Sequence, residues 1–217
     1  MGIIDGIVKF FIDGGFWMYP ILLAGAVGFT IGIERYIKLS KEERTNRKIW
    51  DQLHPLMVAG DFDAAREMVA SNKSSVSRLL ETGLERQGTV RRRDDIEIAM
   101  EEGMMEIIPQ LEKRINYIAL YANLSTLLGL LGTIVGLIVA FAAVAHASPA
   151  EKSELLSASI SVAMNTTAFG LISAIPLLII HSYLNSKAGA IVDSLEMISV
   201  KTLNIISASA RKGEQPR

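Results

Sequence analysis

Three long runs without aspartate, glutamate, lysine or arginine divide the chain. The first covers residues 16–33, and two longer runs, 119–150 and 155–186, flank a short polar link. A helix needs about 20 apolar residues to cross the hydrocarbon core of a bilayer, so each run is long enough to span. The pattern predicts an all-α integral membrane protein with three transmembrane helices, of which the second and third are long and extend beyond the bilayer.

The remaining segments also show helical rather than alternating periodicity. Gly60 and Asp61 interrupt the stretch after the first span, and either Asp61 or Asp63 is placed to cap the helix that follows. The predicted segments are an amphipathic helix at the outer membrane surface over 1–14, a first span over 15–37, a cytoplasmic helical region over 38–114, the hairpin over 115–190 and a cytoplasmic helical tail over 191–217.

Basic residues indicate the orientation of the spans. They cluster after the first run, before the second and after the third, whereas the link between the long runs holds only Lys152. Cytoplasmic loops carry the excess of lysine and arginine, so the N-terminus is predicted outside and the C-terminus in the cytoplasm. The flanking basic residues are Lys38, Lys41, Arg44, Arg47, Lys48, Lys113, Arg114 and Lys187.

Polar side chains lie in the middle of the two long runs. If the runs form antiparallel helices, Thr133 and the segment 165–168 lie at the same depth. Lipid offers a hydroxyl or amide no partner, so these groups are expected to face protein or water. Asn165, Thr166, Thr167 and Thr133 are candidates for an ion path. For Thr133 and Thr167, hydrogen bonding to the helix's own backbone explains the hydroxyl equally well.

Small residues form a face on each long helix. Gly129, Gly132 and Gly136 are spaced by three and four positions on one run, and Gly170 belongs to a similar face on the other. Small residues allow membrane helices to approach closely, so these glycines are predicted to pack the hairpin together.

Composition narrows the functional classes. The net charge is −1, half the residues are hydrophobic and cysteine is absent, so nothing indicates nucleic-acid binding or thiolate chemistry. No phosphate-binding glycine loop, histidine pair at metal spacing or buried acid pair is visible, so no enzyme, cofactor or metal site is expected. A passive scaffold that only oligomerises in the membrane remains an alternative.

Two motifs resemble the MotA/TolQ/ExbB family of ion-channel subunits. They are LGLLGTIVGL at 128–137 and VAMNTTAFGLISAIP at 162–176, and GDFDAA at 60–65 fits the same order of parts. The three-span layout resembles the ExbB/TolQ branch more than the four-span flagellar stator branch. The resemblance covers nearly the whole chain.

The resemblance implies a channel subunit of the bacterial inner membrane. Family members form a ring, generally a pentamer, around a small ExbD/TolR-like partner whose single span carries a proton-binding aspartate. The proton motive force then energises an outer-membrane or periplasm-spanning process, in some systems through a TonB-like protein. By motif position Thr133 and Thr167 match the pore threonines and Pro176 matches the proline of the AIP element. A flagellar or gliding stator, including a sodium-driven one, is the alternative within the family.

One position departs from the ExbB/TolQ pattern. Members commonly carry a glutamate five residues before the motif threonine, and Val162 stands there. His146 and His181 lie towards opposite ends of the hairpin, where an interfacial role is the commoner explanation. His54 is expected to be a cytoplasmic surface or packing residue. A proton-carrying acid must therefore come from a partner.

Overall fold

The computed structural model describes residues 2–86 and 93–213 and is all-helical over those residues. Residue 1, residues 87–92 within the predicted cytoplasmic region and residues 214–217 of the predicted tail lie outside that description. The helices are α1 Ile3–Asp13, α2 Met18–Ala59, α3 Phe62–Ala70, α4 Ser75–Arg86, α5 Arg93–Glu112, α6 Ile115–His146 and α7 Lys152–Gly213. No strand occurs among the described residues, and the predicted fold class is confirmed.

Three stretches of this structure are long and apolar enough to cross a membrane. They are Met18–Ala59, Arg93–His146 and Lys152–Ser209. Only 17% of the apolar window of the second is buried, against 33% for each of the others. A helix that is apolar on all sides belongs in a membrane or an assembly, because water does not solvate such a surface. The chain is a multi-pass membrane protein.

The chain divides into two compact units. The first, here called the span unit, comprises Met1–Glu34 and Arg114–Tyr183. Its core joins α2, α6 and α7 through fully or nearly fully buried side chains. The largest of these are Met18, Ile21, Ile115, Ile118 and Leu177. Burial of such side chains is the main source of packing free energy within a folded unit.

The second unit, here called the extension unit, comprises Arg35–Lys113 and Leu184–Arg217. Its core combines the second half of α2 with α3, α4, α5 and the second half of α7. The buried side chains include Leu53, Met57, Leu79, Leu80, Leu84, Met100, Leu195 and Ile198. Methionine fills irregular gaps well, and Met100 packs against Gly83.

Helix ends follow local backbone chemistry. The helix that begins with the first span continues past residue 37 to Ala59, and residues 38–54 contain neither glycine nor proline. Gly60 then adopts φ +83, a conformation that glycine reaches without steric cost. The Asp61 carboxylate accepts a 3.1 Å bond from the Ala64 amide, so Asp61 is the cap of α3.

The sequence pattern predicts α5 and α6 as nearly continuous, and the structure separates them. Arg114 has φ 67, which interrupts the helical hydrogen-bond ladder between Glu112 and Ile115. In the span unit the Arg114 guanidinium lies 3.5 Å from the Glu34 carboxylate. In the extension unit Arg35 donates to the carbonyl oxygens of Gln110 (3.2 Å) and Leu111 (2.6 Å). Arg35 thus satisfies carbonyl groups in the last turn of α5.

Candidate functional site

The two long helices of the hairpin touch backbone to backbone at Gly129 and Gly170. A Cβ built on Gly170 would lie 2.8 Å from the Ser125 carbonyl oxygen and 3.1 Å from the Gly129 Cα. A Cβ on Gly129 would lie 3.3 Å from the Gly170 Cα. Neither helix can move aside for a methyl group without separating the pair, because both contacts are to backbone. Glycine at both positions therefore permits the close approach of α6 and α7.

The same close packing continues toward the link. A Cβ on Gly132 would collide with the Thr166 side chain, and one on Gly136 would lie 3.2 Å from the Ala163 Cβ. Gly132 precedes Thr133, so the contact with Thr166 agrees with the equal depth predicted for Thr133 and residues 165–168. The register of the hairpin follows from the short link and the constant rise of two helices.

Thr167 joins the two helices through a polar contact. Its hydroxyl donates a 3.0 Å hydrogen bond to the Gly129 carbonyl oxygen on α6. The side chain is half-buried, so it reaches the edge of the seam between the helices. This hydrogen bond joins two helices. The alternative that the sequence left open was a hydrogen bond from Thr167 to a carbonyl oxygen of its own helix.

Thr166, the preceding residue, is buried, with 1% of its surface exposed. Its hydroxyl lies 3.0 Å from the Gly14 carbonyl oxygen and 2.9 Å from the Val162 carbonyl oxygen, and its single hydrogen is shared between them. Within this chain Thr166 therefore connects α7 to the turn after α1, which sequence reasoning did not foresee.

The remaining polar candidates are less constrained. The Thr133 hydroxyl donates a 2.6 Å bond to the Leu130 carbonyl oxygen of its own helix. Asn165 is half-buried, and the structure gives its side chain no hydrogen-bond partner among the described residues. Pro176 lies inside α7 and is half-buried. A membrane amide without a partner in its own chain needs water or a neighbouring protein surface.

An aromatic cluster supports the turn held by Thr166. The Phe169 ring makes edge contacts with Phe10 at 6.4 Å and Phe11 at 5.7 Å, and Phe11 in turn contacts Tyr19 at 5.3 Å. Edge-to-face pairs at these separations are favourable beyond the area that they bury. Phe10 and Phe11 on α1 were visible as apolar residues of an amphipathic helix, but their partner Phe169 is remote in sequence.

Ionisable groups are scarce in this site. Val162 is 37% exposed and lies 3.5 Å from the position that a Cβ on Gly15 would occupy. Of the histidines, His146 is exposed at the end of α6, His54 packs beside the Trp50 ring, and the Nε2 of His181 is buried without a partner among the described residues. The described residues contain no group of three or more metal-ligating side chains.

The link between the long helices is closed by Glu151. Its carboxylate accepts bonds from the Ser148 hydroxyl at 2.6 Å and the Ser148 amide at 3.3 Å. The side-chain bond is the larger cause and the amide bond the smaller, and together they hold the pKa of Glu151 below its ordinary value. The carboxylate is fully solvated and lies in the link, outside the spans.

This arrangement defines a class of membrane protein. Three helices are long and apolar enough to span a membrane, and two of them form a tightly packed hairpin whose seam carries hydroxyl groups, as in a membrane channel or scaffold subunit.

The chain belongs to the MotA/TolQ/ExbB proton channel family, whose model matches residues 71–197. It is 28% identical over 199 residues to a biopolymer transport protein ExbB homolog of Methanothermobacter thermautotrophicus, covering 90% of this chain and 69% of that protein. It is 34% identical over 93 residues to the Tol-Pal system protein TolQ of Haemophilus influenzae, covering 43% of this chain and 40% of TolQ. The predicted resemblance to the ExbB/TolQ branch is confirmed, and the family is one of channels rather than enzymes.

Proposed function

We propose that the chain is the ring-forming channel subunit of an inner-membrane motor that uses the proton motive force. The motor energises an outer-membrane or periplasm-spanning process of the ExbB or TolQ kind. The observation that carries the proposal is the seam of the hairpin, where hydroxyl groups lie between two helices that hold no charged residue over 119–150 and 155–186. Family membership supplies the context for that seam.

Assembly into a closed ring is the first part of the proposal. Most of the α6 surface is apolar and unburied within one chain, and the Asn165 side chain has no hydrogen-bond partner among residues 2–86 and 93–213. Copies related by rotation would cover such surfaces and enclose the polar seam, since a cyclic assembly leaves no open face. A pentamer is proposed from the family resemblance. Native mass spectrometry in detergent tests it, and detection of monomers and dimers alone contradicts it.

The proposed topology has the N-terminus outside and the C-terminus in the cytoplasm of a bacterial inner membrane. The distribution of lysine and arginine around the spans supports it. Reaction of single cysteines introduced at Gly6 and Gly189 with an impermeant thiol reagent tests the orientation, because the wild-type chain has no cysteine. Labelling of intact cells at residue 189 but not at residue 6 contradicts it.

A partner supplies the titratable group in this proposal. A proton crossing roughly 30 Å of hydrocarbon needs titratable groups or a continuous file of water, and apolar constrictions tend to lose water. Val162 stands at the position where the resemblance to ExbB and TolQ members implies a glutamate. We therefore propose an ExbD/TolR-like partner with one span and an aspartate, and in some systems a TonB-like protein beyond it.

Reconstitution into liposomes loaded with a pH-sensitive dye tests conduction. The pure chain is expected to give little proton leak, and leak is expected to appear with the partner and to disappear when the partner's aspartate becomes asparagine. Robust leak through the pure chain contradicts the partner dependence. A ring that conducts neither protons nor sodium with its partner supports the passive scaffold instead. Sodium-dependent conduction favours a stator-like machine, because hydroxyl and carbonyl oxygens can coordinate sodium.

A further inference from the structure

A cavity in the extension unit has a strongly cationic lining. Its volume is about 460 Å³, and it is bounded by α2, the turn from α3 to α4, the start of α4 and the end of α5. Among its lining residues are five cationic side chains and a single carboxylate. These are Arg35, Lys38, Lys41, Lys73, Arg78 and Glu42.

The one carboxylate of the cavity is already engaged by protein donors. Oε1 of Glu42 accepts bonds from the amide and from the hydroxyl of Ser75, each 2.7 Å long. Glu42 thus caps the N-terminus of α4, where backbone amides lack helical partners. Hydrogen bonds from these neutral donors leave the negative charge of Glu42 in place, so five cations and one carboxylate give the lining a net charge of +4.

Two of the cations have no anionic partner among the residues that the structure describes. Arg78 is held by the Gln110 side chain at 2.8 Å and lies 3.9 Å from the Glu106 carboxylate. Lys41 and Lys73, by contrast, form no ion pair within residues 2–86 and 93–213. Both side chains are exposed at the mouth of the cavity. The cavity therefore presents two ammonium groups, with six N–H donors in total, to a ligand.

The position of these lysines along α2 suggests the source of the ligand. Ile33 is the last residue of the uncharged run, and Lys38 and Lys41 follow it by five and eight positions. At the rise of an α-helix they lie roughly 7 and 12 Å beyond the end of that run. The interfacial layers add roughly 5–8 Å on each side of the hydrocarbon core, so Lys38 lies at the depth of phospholipid headgroups. Lys41 lies just beyond that depth, and its flexible side chain is long enough to reach back to it.

The lining also discriminates among anions. Among the described residues no aromatic side chain lines the cavity, so a nucleobase has no surface there on which to stack. The described lining also contains no glycine-rich loop that would cradle a polyphosphate. Leu39 and Leu111 give the wall a small apolar part. We propose that the cavity binds the phosphate headgroup of an anionic phospholipid such as phosphatidylglycerol, as basic pockets beside spanning helices do. The site is independent of ion conduction.

Titration of short-chain lipids into the detergent-solubilised full chain tests this site by native mass spectrometry. Short-chain phosphatidylglycerol is the probe, short-chain phosphatidylcholine is the uncharged comparison, and inorganic phosphate is the soluble competitor. The variant Lys41→Gln with Lys73→Gln is expected to lose at least about tenfold of its affinity for phosphatidylglycerol. Its affinity for phosphatidylcholine is expected to change little.

The matched control is Lys48→Gln with Lys201→Gln, which removes the same charge from exposed positions outside the cavity. It is expected to bind phosphatidylglycerol like the wild type, and thermal melting of both double variants checks their folding. The proposal is overturned if both double variants lose affinity for phosphatidylglycerol equally, or if neither loses any. Displacement of the lipid by an equal concentration of inorganic phosphate overturns the lipid assignment and gives the site to a soluble anion.

Discussion

Thr166 and Gly14 are joined by a buried hydrogen bond of 3.0 Å, although 152 positions separate them in the chain. Gly14 lies beyond the end of α1. In a continuing helix its carbonyl oxygen would accept from the amide of Met18, but that amide donates to the Gly15 carbonyl oxygen. The Thr166 hydroxyl therefore satisfies a carbonyl that has no helical amide. Thr167, the next residue, uses its hydroxyl on α6. Two adjacent threonines thus serve two different contacts.

Substituting each threonine by valine separates these roles. Thr166→Val leaves the buried Gly14 carbonyl unpaired and is expected to cost about 1–3 kcal/mol of stability. Thr167→Val is expected to cost about 0.6 kcal/mol, since the Gly129 carbonyl keeps its helical partner. Thermal melting in detergent measures both variants.

Coupled function is expected to change in the opposite order. If Thr167 lines the proposed ion path, Thr167→Val weakens growth or transport that depends on the energised system more than Thr166→Val does at equal membrane abundance. Equal loss of abundance in both variants contradicts this expectation and makes both threonines structural.

The glycine contact of the hairpin predicts a sharp difference between two substitutions in α7. Gly170→Ala places a methyl group 2.8 Å from the Ser125 carbonyl oxygen and is expected to destabilise the chain by about 1–3 kcal/mol. Gly189→Ala meets nothing within 4 Å and is expected to stabilise α7 by about 0.5–1 kcal/mol. Melting temperatures that move in the same direction for both variants would falsify the packing role.

The seam of the hairpin was predictable because its determinants are local. A short link and a constant helical rise fix which residues of α6 and α7 lie opposite each other, and small residues mark the contact. The contact of Thr166 with Gly14 carries no such signal, since it depends on where α1 folds back. The interruption at Arg114 is also unmarked, because arginine, unlike glycine or asparagine, seldom adopts positive φ.

The conformation of Arg114 can be tested by comparing two variants. Both Arg114→Gly and Arg114→Ala remove the ion pair with Glu34, so their difference reports the backbone alone. At φ 67 the glycine variant is expected to be more stable than the alanine variant by about 1 kcal/mol. Chemical or thermal denaturation measures the difference. An alanine variant at least as stable as the glycine variant contradicts a left-handed residue 114.

Because Glu42 caps α4, substitutions of Glu42 are expected to lower the stability of the chain by different amounts. Glu42→Ala removes the acceptor for the Ser75 amide and hydroxyl and is expected to cost about 1–2 kcal/mol. Glu42→Gln keeps a side-chain oxygen and is expected to recover much of that loss. Exposed Glu67 on α3 provides the matched control, because Glu67→Ala removes the same charge without a cap. Hydrogen exchange of the first α4 amides should increase only in Glu42→Ala, and uniform exchange across all three variants argues against the cap.

The link between α6 and α7 should respond to acid through Glu151. Its pKa is lowered in the folded chain, mainly by the Ser148 hydroxyl, so the charged form is the one that the fold favours. The contribution of Glu151 to stability is therefore complete above the ordinary pKa of a glutamate and is lost as pH falls through the lowered pKa.

The variant Ser148→Ala removes the hydroxyl, which is the larger cause of the shift, and is expected to return the Glu151 pKa toward its ordinary value. A carboxyl NMR titration of labelled glutamate measures this shift, with exposed Glu67 as the reference carboxyl. An unchanged Glu151 titration in Ser148→Ala shows that the hydroxyl bond does not form in solution.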